Sequence, residues 1–67
     1  MRIDDYVGLV VIVELDTSET YEGFLELVED AEGAGYVKVV NAESIKWIPR
    51  DEVYKITPIP SKNLIIK

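Results

Sequence analysis

The side chains of this 67-residue chain that could do chemistry are mostly carboxylates, 13 Asp and Glu in all, with neither His nor Cys beside them. They gather as Asp4-Asp5, Glu29-Asp30-Glu32 and Asp51-Glu52. General acid–base work would fall to carboxylate, lysine or tyrosine with no imidazole partner, and no catalytic constellation emerges. The absence of Cys and His removes disulfides, thiolate chemistry and the usual zinc sites. Calcium requires six to eight oxygens, and no cluster has the spacing of a helix-loop-helix calcium loop. The acids therefore read as solvated turn and helix-start groups, and a binding module without metal or cofactor is expected rather than an enzyme.

The formal net charge is −6, distributed as −9 over residues 1–33 and +3 over residues 34–67. The acidic balance argues against broad electrostatic attraction to nucleic acid, which depends on neutralising phosphates. A local site could still form in the later half, where Arg50, Lys38 and Lys46 could contact phosphate and Tyr36 could stack on an unpaired base. Trp47, between Ile45 and Ile48, reads as a core or subunit-interface residue.

Elements able to position these groups are short. Arg2 to Gly8 can form one or two helical turns, with early acids, Ile3, Tyr6 and Val7 on one side and Gly8 as the stop. Leu9 to Leu15 predicts a strand whose Val11, Val13 and Leu15 share a face. Asp16-Thr17-Ser18-Glu19 is a hairpin turn. A long second strand over Thr20 to Glu29 alternates Tyr21, Gly23, Leu25 and Leu27 against Glu22, Phe24, Glu26 and Val28. Gly23 marks a bulge or sharp bend there, as a small barrel needs at a corner. After the loop Asp30 to Gly35, strands are expected over Tyr36 to Val40, Ile45 to Ile48 and Val53 to Ile56, with turns at Asn41 to Ser44 and Pro49 to Glu52. Pro58 and Pro60 end the last strand. Residues 1–60 thus form one all-β domain, and 61–67 an apolar C-terminal tail.

Gly8, Val11, Val13-Glu14-Leu15, then Tyr21, Gly23, Leu25 and Val28-Glu29, resemble the first motif of the Sm/Lsm (Hfq-like) family. Ile48, Asp51, Val53, Ile56 and Pro58 are similar to its second motif. The resemblance implies a short N-terminal helix followed by a strongly bent five-stranded antiparallel Sm-like (SH3-like) barrel, whose fourth strand pairs with the fifth strand of the next subunit. A homo-oligomeric ring of about five to seven subunits is then expected, with single-stranded RNA bound near its pore. The interface would involve Ile45, Trp47, Ile48, Val53, Lys55 and Ile56. Arg50 becomes the leading RNA contact, because its turn faces the pore in the family. Three positions differ from the pattern: Glu29 stands for an aspartate, Gly33 for an asparagine, and Pro49-Arg50 for Arg-Gly.

A chain this small buries only about 60% of its unfolded surface, so association with copies of itself is an expected source of stability. An RNA-binding or RNA-chaperone ring is the leading expectation, and a ring scaffold for a protein partner the alternative. Repetition of Glu29-Asp30-Glu32 around a pore would create a cation site. The longest apolar stretch, Leu9 to Val13, is too short to cross a bilayer and no signal-peptide core precedes it, so a cytoplasmic protein is expected. Val10 and Ile12 fall on the outer face of the first strand. The aliphatic tail Leu64-Ile65-Ile66 is expected to cover that face, as an extra edge strand or by meeting another subunit or ring.

Overall fold

The computed structural model describes residues 3–29 and 35–63. Five strands, β1 (Val10–Leu15), β2 (Thr20–Glu29), β3 (Gly35–Val40), β4 (Ile45–Pro49) and β5 (Val53–Pro58), form one antiparallel sheet in the order β4-β3-β2-β1-β5. Short 3-10 helices cover Ile3–Tyr6, Arg50–Glu52 and Pro60–Lys62. Ile3–Tyr6 is a single 3-10 turn, the lower end of the one or two helical turns expected. It buries Ile3 and packs Tyr6 on the core, while Val7 lies beyond its end and is exposed. Gly8 then takes φ +90°, which a side chain resists, and donates its N–H to the Leu25 carbonyl at 2.9 Å.

Alternation decides the faces. Val11, Val13 and Leu15 of β1 point inward with Leu25, Val37, Val39, Ile48 and Ile56, and Ile3 closes one end of this core. β-branched residues dominate it, as suits a pleated surface packed on one side. The long β2 serves two partners. Its first half pairs with β1 (Val11 opposite Gly23, Val13 opposite Tyr21), and its second half with β3 (Leu25 opposite Val39, Leu27 opposite Val37). Gly23 lies at the change of partner. A Cβ built there would sit 2.5 Å from the Val40 carbonyl oxygen and 2.9 Å from Val39 Cγ1. The requirement for glycine is therefore one of close approach, created by the bend.

A closed barrel does not form within the chain. β4 and β5 lie at opposite ends of the strand order and do not pair. The physical reason is their connection. Arg50–Glu52 is a 3-10 turn rather than a hairpin loop, and its Glu52 carbonyl accepts the Asp16 N–H at 3.0 Å, tying the turn to the end of β1. The Arg50 stem meanwhile lies against Gly35 at the start of β3. One three-residue turn touching both β1 and β3 requires a strongly curved sheet, whose edges β4 and β5 pair with no further strand among the described residues. A register shift between Glu14 and Leu15 places Tyr54 as the extra residue of a bulge on β5.

Candidate nucleic-acid and subunit interfaces

The corner where β3 begins, β4 ends and the Arg50 turn starts is built by two local constraints. Tyr36 stands opposite Pro49, and Gly35 gives the room in which the Arg50 side chain lies. A methyl group at Gly35 would overlap the Arg50 Cδ, so the glycine fixes the guanidinium's approach. Arg50 and Tyr36 therefore meet the same strand end from opposite faces: half-buried Arg50 lies along the inward parity that Gly35 shares with Val37, and exposed Tyr36 points outward with Lys38. No described carboxylate pairs with Arg50.

Lys38 and Lys46 are placed differently. Lys38 stands between Glu26 and Trp47 in one cross-strand row, its Nζ 3.9 Å from Glu26 Oε1 and 5.2 Å from the Trp47 ring centre. Both contacts hold the ammonium on the outer face of the sheet. Such exposed ion pairs contribute about 0–1 kcal/mol, and the cation–π contact about 0.5–1 kcal/mol. Lys46 shares the inward parity of Ile48 but lies at the other end of β4, with its Nζ 5.2 Å from the Tyr21 ring centre. The fold thus sets Tyr36 and Lys38 on the outer face, Arg50 on the inward side of the same strand end, and Lys46 apart from them at the far end of β4.

Of the six positions expected at a subunit interface, Ile48 and Ile56 place their side chains in the core, at 2% and 5% exposure. They can offer a neighbour only backbone. Val53 packs partly on the same core. Ile45, Trp47 and Lys55 point outward and are exposed. Trp47 at 55% is consequently not a core residue; the pairing of Val37 with Ile48 gives it the opposite parity. With Ile45 at 52% and Tyr54 at 64%, both free edges carry large apolar groups facing solvent in the single chain.

Three features of the outer surface have weak sequence signals or none. Val10, Phe24, Val40 and Ile45 are successive cross-strand partners, forming one apolar row over four strands. The matching outward parity of Phe24 and Val10 is the only trace of that row in the sequence. Lys62 reaches Glu22 with an Nζ to Oε2 distance of 3.2 Å. Asn63 forms three side-chain hydrogen bonds: Val10 N–H donates to its Oδ1 at 2.7 Å, and its Nδ2 donates to the carbonyls of Val10 at 2.7 Å and Ile59 at 2.8 Å. Residues 61–63, expected to begin a tail, are therefore attached to β1.

The Glu29-Asp30-Glu32 cluster and Gly33 lie outside the described side chains, as does the tail from Leu64. Among the described residues there is no group of acids able to hold a metal ion and no buried polar side chain. No described helix is long and apolar enough to cross a membrane. Compared with protein-family models, with curated proteins and with solved structures, the chain finds no match in any of the three. The likeness to the Sm/Lsm family consequently rests on the motif residues, and the structure shows a small protein with one five-stranded antiparallel sheet.

Proposed function

We propose that this chain is an Sm-like protein that closes its open sheet into a barrel within a homo-oligomeric ring and binds single-stranded RNA. The supporting observation is the pair of free edges, β4 and β5, separated in strand order yet joined by three residues, and both bearing exposed apolar groups. Unpaired edges invite strand addition, and an edge-to-edge contact between two different strands generates a ring when its rotation closes. β4 of one copy pairs with β5 of the next, about five to seven times around. Ile45, Trp47 and Tyr54, which flank these edges, lose their solvent exposure on assembly.

The RNA contact is Arg50, repeated once per subunit, with Tyr36 on the opposite face of the same strand end. A ring multiplies one weak corner into a continuous track, so the chain's overall −6 charge does not preclude local phosphate binding. Lys38 and Lys46 contribute little at this corner because of their placement. The cytoplasm suits such a protein. Fluorescence titration of short uridine-rich and adenine-rich RNA at several salt concentrations tests the reading. Binding that weakens steeply with salt agrees with it; no binding at low salt contradicts it.

A ring scaffold for a protein partner is the second reading. It is favoured by the acidic balance and by the apolar outer row, which resembles a protein-facing surface more than a phosphate-facing one. Absence of RNA binding by an intact ring would select it.

A further inference from the structure

The outer row has a candidate occupant in the chain itself. Asn63 is held to Val10, the first member of the row, by hydrogen bonds on both its N–H and its carbonyl. Its amide adds to the Ile59 N–H, which donates to the Val10 carbonyl at 3.1 Å, and gives the Val10 N–H its acceptor, so Asn63 lies on the β5 side of β1. Lys62 pairs with Glu22, which stands opposite Ile12 on the outer parity of β2. These two links bring the chain to the outer side of β1, beside Val10, Ile12 and Phe24. The next residues in the sequence are Leu64-Ile65-Ile66.

We infer that Leu64, Ile65 and Ile66 dock on the outer face of their own sheet, over Val10, Ile12 and Phe24. Reach permits it. Residues 64–66 span about 10 Å when extended, and Phe24 on β2 lies two strand spacings, about 10 Å, from the β5 side of β1 where Asn63 is held. The chemistry is matched, since aliphatic side chains meet aliphatic and phenyl groups, and Phe24 at 41% and Ile12 at 37% exposure have apolar surface left to bury. Docking is face-on. β1 already has β2 on one side and β5 on the other, so the segment cannot add to it as a further strand. Ile45 and Trp47 on β4, two strand spacings beyond Phe24, remain uncovered and available to a neighbouring subunit. This inference does not depend on ring formation or on RNA.

The test uses the full chain with labelled Leu and Ile methyls and labelled Phe. Because Phe24 is the only phenylalanine, nuclear Overhauser contacts from methyls of Leu64, Ile65 or Ile66 to its ring report docking directly. Deletion of residues 64–67 and the exposed-site variant Phe24→Ala form a double-mutant cycle. Each is expected to lower Tm by about 4 °C or more, and together by less than the sum. Trp47 emission should be unchanged by the deletion. Methyl-to-ring contacts within one chain, with non-additive Tm shifts, are the expected result. Contacts seen only between differently labelled chains would overturn the inference by assigning the face to a neighbour's segment. Additive shifts with no contact to Phe24 would overturn it outright.

Discussion

Gly23→Ala should destabilise the protein by about 1–3 kcal/mol, although glycine-to-alanine at an unstrained position normally stabilises by about 0.4–1 kcal/mol. The new methyl would sit 2.5 Å from the Val40 carbonyl oxygen and 2.9 Å from Val39 Cγ1. Favourable carbon contacts lie near 3.5–4.0 Å, so the neighbours must retreat by about 1 Å. Val39 can shift a little within a packed core. The Val40 carbonyl cannot do so freely, because its residue pairs with Phe24 and the next, Asn41, donates its side-chain amide to the Glu22 carbonyl at 2.9 Å. A domain of this length has about 3–10 kcal/mol of stability in all, and each kcal/mol shifts Tm by about 4–8 °C. Gly23→Val, with two further methyls, should leave little folded protein. Thermal unfolding followed by circular dichroism at fixed protein concentration measures both. Gly8→Ala is the comparison: an added Cβ would meet no atom within 4 Å beyond its chain neighbours, but φ +90° imposes a cost of about 1–2 kcal/mol. A Gly23→Ala protein as stable as the parent would refute the close approach and the bend that creates it.

Asn63→Ala removes three partly buried hydrogen bonds and should cost about 1–3 kcal/mol, read as a lower Tm and as faster hydrogen exchange at the Val10 amide. Trp47→Glu places a carboxylate opposite Lys38 on an exposed position of the single chain, so β-type circular dichroism should persist while the mass in solution falls; an unchanged mass would remove Trp47 from the interface. Arg50→Ala should weaken RNA binding and reduce the slope of log affinity against log salt by about 0.7 for each phosphate that the guanidinium had neutralised. An unchanged slope would place the RNA elsewhere.

Much of this fold is legible because strand parity is strict where one face is buried. Val11, Val13 and Leu15 identify the inner face of β1, and Tyr21, Gly23, Leu25 and Leu27 do the same for β2, with Gly23 marking the bend. Parity fails at Ile45-Lys46-Trp47-Ile48, where three apolar residues surround one lysine. Only pairing with β3 decides that Ile48 is inside and Trp47 outside. Lys46 takes the inward parity without burial because it lies at the end of its strand, over Tyr21. The Arg50 corner is half legible: the turn is visible in Pro49-Arg50-Asp51-Glu52, but its approach to Gly35 joins residues 15 apart and leaves no local pattern. Asn63 is hidden for the same reason, its partner Val10 being 53 positions away. Barrel closure is not legible, because strand patterns do not say whether the two edges meet within one chain, and here they do not.

Mass in solution, by sedimentation equilibrium at micromolar concentration, tests the central claim most directly. Two free edges with exposed Ile45, Trp47 and Tyr54 predict one species at about five to seven times the 7.6 kDa of the chain. A folded species that stays at 7.6 kDa would contradict the ring.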